Sequence, residues 1–68
     1  MKLLIDLELV QKASSPKAYG VTQYEEDEDL IWLPKSQVER GEKLNTRGNY
    51  DHYEYTMPEW LAKEKGLI

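Results

Sequence analysis

The chain of 68 residues has no cysteine and no phenylalanine, and it has a single histidine. The lack of thiols excludes a disulfide framework, a thiolate metal site and a cysteine nucleophile. Positive charge is also in short supply: 13 acids face 9 bases, for a net charge of −4. Binding to nucleic acid by charge alone needs clustered Lys and Arg to displace counterions, so that general mode is not expected. No stretch approaches the roughly 18 apolar residues that a membrane span requires. Asp6 also interrupts the apolar stretch near the start, where a signal peptide needs continuity. These absences point to a cytoplasmic protein with no membrane partner. At this length a single domain, residues 1–68, is expected, near the size at which one hydrophobic core becomes marginal.

What is present is ordered along the chain. Leu3, Ile5, Leu7 and Leu9 share one parity, with Asp6 and Glu8 on the other, which predicts a strand over residues 3–10 with one face in the core. Ser14, Ser15 and Pro16 break it, because proline lacks the donor that a ladder needs. Residues 17–24 predict a second strand, in which Gly20 marks a bulge or the close approach of another backbone. Residues 29–33 predict a third. Leu30, Ile31, Trp32 and Leu33 are continuously apolar, the pattern of a strand covered on both faces, and Pro34 ends it.

Ser36 and Glu39 have the spacing of a capping box, so one helical or 3₁₀ turn is expected there. Residues 40–49 contain Gly41, Asn45, Gly48 and Asn49 with only Leu44 apolar, and predict a polar loop that is the most mobile part of the chain. Residues 50–57 predict a last strand, with Tyr53, Tyr55 and Met57 on one parity. Thr56 and Glu59 form a second capping box in this reading, and Pro58 sits in the first turn of a terminal helix. Trp60, Leu61, Glu64 and Leu67 recur at helical spacing, and Gly66 is placed as a left-handed cap. The expected architecture is α+β or mainly β, in the order β-β-β-turn-β-α. It is a small antiparallel sheet or partly open barrel of about four strands with a short C-terminal helix. Trp32 and Trp60 are expected to meet where sheet and helix pack, since a small core can hardly spare a tryptophan.

Two segments, Trp32-Leu33-Pro34-Lys35-Ser36-Gln37-Val38 and Met57-Pro58-Glu59-Trp60-Leu61-Ala62-Lys63-Glu64-Lys65-Gly66-Leu67-Ile68, resemble small phage and prophage proteins of unassigned function. No catalytic motif belongs to either segment. The resemblance implies origin and fold rather than chemistry, and a location in the cytoplasm of a host cell.

Chemistry-bearing residues are few. His52 has Asp51 and Glu54 nearby, but on a strand Asp51 points to the opposite side and only Glu54 shares its face. With no second histidine and no cysteine, His52 reads as an exposed strand residue rather than a metal ligand. Ser14, Ser15 and Ser36 occupy turn and cap positions, and no strained elbow or oxyanion-hole motif accompanies them. Gly41 and Gly48 precede no helix that would hold a phosphate. No catalytic residue, metal ligand or cofactor is therefore assigned, and a non-enzymatic protein is expected.

Two surface features remain. Glu25, Glu26, Asp27, Glu28 and Asp29 form an unbroken acidic run, which is either a solvated turn or, with Tyr24, a docking patch for a basic partner. Trp32 has the parity opposite Ile31 and Leu33, and if exposed beside Lys35 it would be a hot spot for a protein partner. The leading expectation is a small binding protein that docks on a host or phage protein through one of these features. The alternative is a single-strand nucleic-acid accessory protein on an oligonucleotide-binding-like barrel. It would use Arg40, Lys43 and Arg47 with Tyr50 as a cationic stacking platform. An acidic mimic of nucleic acid is a third reading. The first strand, guarded only by Lys2 and Lys12 near its ends, would also allow pairing with a second copy as a homodimer.

Overall fold

Alternation of apolar and polar residues in the first segment survives in the folded chain and sets the plan of the whole domain. The structure is a computed structural model in which residues 3–47 and 49–68 are described, the side chains of residues 45–47 excepted. Five strands, β1 (Leu4–Ser14), β2 (Ala18–Thr22), β3 (Ile31–Pro34), β4 (Glu39–Arg47) and β5 (Tyr50–Pro58), precede a six-residue helix, α1 (Glu59–Glu64). They form one antiparallel sheet in the order β3-β2-β1-β5-β4. The mainly β class with a short terminal helix is the one expected from the sequence.

The inner face collects Leu9 of β1, Val21 of β2, Leu33 of β3, and Tyr55 and Met57 of β5. Val38 joins them from the β3–β4 connection, with Leu61, Ala62 and Leu67 from the helical end. Ile5, Leu7, Tyr19, Ile31 and Tyr53 pack around this cluster. Registers such as Leu7↔Tyr55 and Tyr19↔Leu33 place these side chains on one face, as a period of two requires. A bulge between Gln11 and Ala13 then shifts the β1–β2 register by one residue. Gln11 keeps the inner parity, whereas Ala13 pairs with Gly20 on the outer face.

Residues 35–38 join β3 at one edge of the sheet to β4 at the other. Four strand spacings make a flat sheet about 19 Å wide, and such a linker reaches at most about 18 Å between its flanking residues when fully extended. Here it is a turn, with the Gln37 N–H donating to the Pro34 carbonyl at 3.0 Å. The sheet must therefore coil and bring its two edges towards each other. In place of the helical or 3₁₀ turn expected after Ser36, a single i to i+3 turn spans residues 34–37, and Glu39 enters β4 directly.

Several other expectations change. The polar loop expected over residues 40–49 is strand β4 as far as Arg47, which raises the strand count from about four to five. Its ladder to β5 shifts register twice, between Arg40 and Lys43 and between Lys43 and Asn45, so no clean alternation marks it in the sequence. Gly48 lies outside the described residues. The first strand is the central one, paired with β5 along residues 4–11 and with β2 along residues 10–14, so residues 4–9 are paired on one side only. The edges are β3, only four residues long and ending at Pro34, and the bulged, charged β4. Both designs discourage edge-to-edge pairing. Lys2 lies outside the described residues.

At the C-terminal end, β5 runs through Pro58, which becomes the helix N-cap, and no side chain caps the helix. The expected Thr56–Glu59 box is replaced by a cross-strand contact, in which the Thr56 hydroxyl donates to Asp6 Oδ1. The other end follows the sequence closely. Gly66 has φ +74°, its N–H donates to the Lys63 carbonyl at 3.1 Å, and the Leu67 N–H donates to the Ala62 carbonyl at 2.8 Å. This pair of bonds turns the chain back and seats Leu67 in the core.

Candidate functional site

The outer face of the sheet carries most of the surface features that the sequence singled out. Trp32 does not meet Trp60: they are 43% and 51% exposed, and neither belongs to the core cluster. The parity of Trp32, opposite Ile31 and Leu33, sends it outward on an edge strand, so β3 is covered on one face only. Its register partner is Gly20, whose partner in turn is Ala13. A Cβ at position 20 would lie 3.1 Å from Trp32 Cη2, 3.2 Å from Cζ3 and 3.0 Å from Ala13 Cβ. Gly20 thus provides the floor on which the indole rests, and its neighbour is a side chain rather than another backbone. Helix α1 buries Leu61 and Ala62 instead of the Trp60 side. Lys35, half-buried at the exit of β3, turns its ammonium over the Tyr19 ring at 4.9 Å.

The acidic run is a fastened turn and not simply a solvated one. Thr22 Oγ1 donates to the Tyr24 carbonyl at 2.7 Å. The Tyr24 N–H donates to Asp27 Oδ2 at 3.2 Å, and the Asp27 N–H donates to the Tyr24 carbonyl, also at 3.2 Å. From β1, the Lys12 ammonium reaches across to the carbonyls of Glu25, at 2.6 Å, and of Asp27. Val10 and Thr22 are 1% exposed although they lie on the outer face. Glu25 and Asp27 are half-buried, while Tyr24, Glu26, Glu28 and Asp29 remain exposed. Tyr24, at 62%, is the most exposed of the large apolar side chains in the turn.

His52 is the second fastening. The reading of it as an exposed strand histidine is overturned, since its side chain is only 13% exposed. Nδ1 lies 3.0 Å from Glu8 Oε2, and Nε2 lies 3.1 Å from Glu25 Oε1. Glu8 reaches it diagonally, because the register partner of His52 on β1 is Val10. The Glu25 hydrogen bond raises the imidazole above its usual value of 6.5, burial opposes this, and the Glu8 hydrogen bond adds to the rise. The two carboxylates sit on opposite ring nitrogens and do not converge on a common point. Among the described residues no group of three His, Asp or Glu side chains is arranged to hold a metal ion.

The cations of the alternative, nucleic-acid reading are distributed differently from a single platform. The Arg40 guanidinium lies over the Tyr53 ring at 4.4 Å and the Tyr19 ring at 5.3 Å, and donates to Gln11 Oε1 at 2.8 Å. The buried Tyr55 hydroxyl donates to the same oxygen at 2.7 Å. Burial pushes the Tyr55 phenol above its ordinary range and the Arg40 charge pulls it partly back, so the hydroxyl keeps its proton. Lys43 pairs with Asp51 at 3.4 Å. Tyr50 is met by Lys12 at 4.9 Å from its ring centre. The side chain of Arg47 lies outside the described residues.

Glu8, Lys12 and Gly20 had no functional reading from sequence, yet they fix His52, the acidic turn and Trp32. The partners of His52 lie 44 and 27 positions away along the chain, so no local spacing could reveal them. No protein-family model, no curated protein and no solved structure matches the chain. No helix among the described residues is long and apolar enough to cross a membrane.

Proposed function

We propose that this chain is a non-enzymatic docking domain of phage or related origin. In this proposal it binds a host or phage protein through Trp32 and the neighbouring acidic turn. The observation that carries the proposal is the placement of Trp32: 43% exposed on an edge strand, yet laid over Gly20. A large aromatic held in one place loses little conformational freedom on binding, which is the usual character of an interface hot spot. Asp29 is three residues from Trp32, so their backbones lie within about 11 Å of one another. The partner surface should therefore offer an apolar recess bordered by Lys or Arg side chains, complementary to Glu26, Glu28 and Asp29. That charge pattern would mainly speed and orient association, while the indole would supply most of the affinity.

Paired capture experiments test the proposal. Wild-type protein, Trp32→Ala and a Glu26→Ser/Glu28→Ser/Asp29→Ser variant are used as bait under identical conditions. A genuine partner is depleted with both variants, and the advantage of the wild type over the Ser variant is greatest at low salt and shrinks as salt is raised. Equal retention by all three baits would remove this surface from the interaction. The acidic-mimic reading differs in requiring the captured protein to release DNA on binding. The single-strand reading has less support, because Lys43 is paired with Asp51 and Arg40 is stacked over two tyrosines. It predicts salt-sensitive oligonucleotide binding that is lost on neutralising Arg40, Lys43 and Arg47.

A further inference from the structure

The acidic turn is attached to the sheet at two points of different chemistry, an ammonium on backbone carbonyls and an imidazole on a carboxylate. Lys12 clasps the turn by its backbone carbonyls. His52, the sole histidine, holds it by the Glu25 side chain. Its ring stands between two carboxylates, at 3.0 Å on Nδ1 and 3.1 Å on Nε2. A carboxylate only accepts, so both contacts are hydrogen bonds only when both nitrogens carry hydrogen. A neutral ring has one hydrogen for two acceptors, and its bare nitrogen would face an anion at bonding distance. One contact then has to open. Opening on the Glu8 side would move only a side chain of the central strand, whereas opening on the Glu25 side would move the turn that carries it.

We infer that a proton on His52 latches the acidic turn against the sheet and that its loss releases Glu25, making the turn a pH-operated flap. The groups around the ring are consistent in sign. Glu8 faces it from β1, and Glu25 and Glu26 line the same groove from the turn. Glu54 lies on the same face of β5, directly opposite Glu8. The register partner of His52 on β4 is Asn45, which carries no charge and whose side chain lies outside the described residues. The nearby cation, Lys12, is committed to carbonyl oxygens. Folding thus strengthens proton binding above the usual 6.5. The latch contributes fully below that value and is lost as pH rises through the higher folded-state value. If the turn is the docking surface proposed above, the same event changes how Tyr24 and Glu26 are presented; that consequence alone rests on the docking proposal.

The test uses the free, full chain and nitrogen-15 NMR. At about pH 5.5, well inside the protonated range, both ring nitrogens should show imidazolium shifts. The titration midpoint should lie above 6.5, and the amides of residues 24–27 should move with the same midpoint. Their hydrogen exchange, corrected for intrinsic rate, should rise several-fold above it. Glu25→Gln should lower the midpoint more than Glu8→Gln, and His52→Gln should abolish the co-titration. A midpoint at or below 6.5, or turn amides that ignore the histidine, would overturn the latch. Should His52→Gln fail to fold, the Glu25→Gln titration decides the matter. No partner is involved, so a failed latch and a failed docking surface give separate results.

Discussion

Trp32 and Gly20 should be energetically coupled, and the structure gives the size of the effect. With the indole 43% exposed, a little over half of it is withdrawn from water. For a tryptophan that is on the order of 100 Å², worth about 2.5 kcal/mol at ~25 cal/mol per Å². Trp32→Ala should therefore cost about 2 kcal/mol. In the wild type, Gly20→Ala places a methyl 3.1 Å and 3.2 Å from the ring, which must lift. Losing part of that contact costs about 1–2 kcal/mol, offset by about 0.5–1 kcal/mol from replacing glycine in a strand. In the Trp32→Ala background the obstructing ring is gone and only the Ala13 contact at 3.0 Å remains. Gly20→Ala should then be close to neutral, giving a coupling energy of about 1 kcal/mol. Urea unfolding of the four proteins, followed by far-UV circular dichroism, measures the cycle. In Gly20→Ala the Trp32 emission should also shift to the red against a constant Trp60 signal. Additivity within about 0.3 kcal/mol, with unchanged emission, would refute the reasoning that the indole rests on Gly20.

Three further outcomes follow from the same geometry. Tyr55→Phe removes a buried hydroxyl but leaves Gln11 bonded to Arg40, so stability should fall by only about 1 kcal/mol in urea titrations. Gly66→Ala meets no atom within 4 Å, so its cost should be that of the left-handed backbone alone, about 1–2 kcal/mol in thermal unfolding. The melting temperature should decline as the pH rises above the usual imidazole value of 6.5 in the wild type and much less in His52→Gln.

Four strands were legible: expected over residues 3–10, 17–24, 29–33 and 50–57, they span 4–14, 18–22, 31–34 and 50–58. Parity marks the first, second and last, whereas a continuous apolar run marks the third. Strand β4 was not, and the reason is physical. Alternation reports which side chains are buried, whereas β4 is an exposed, twice-bulged edge held by backbone hydrogen bonds, and its one aliphatic residue, Leu44, is 47% exposed. The exposure of Trp32 was present in its parity, but the size of the residue argued for the core. The floor beneath it was partly legible, because Gly20 signalled a close approach, though not of which group. The His52 bracket depends on the β1–β5 register and on the return of the β2–β3 turn, neither of which any local pattern encodes. Of the expected stripe Trp60, Leu61, Glu64 and Leu67, Leu61 and Leu67 are buried, the latter brought inward by the turn after the helix, while Trp60 is exposed and Ala62 takes the buried place beside Leu61.

A hydrogen-exchange footprint of the captured complex would test the docking proposal most directly. Protection on binding should fall on residues 24–35, covering the acidic turn, Trp32 and Lys35, while the β4–β5 hairpin exchanges as in the free protein. Protection centred on residues 40–50, with residues 24–35 unchanged, would contradict it and move the contact to the Arg40 and Tyr50 side of the sheet.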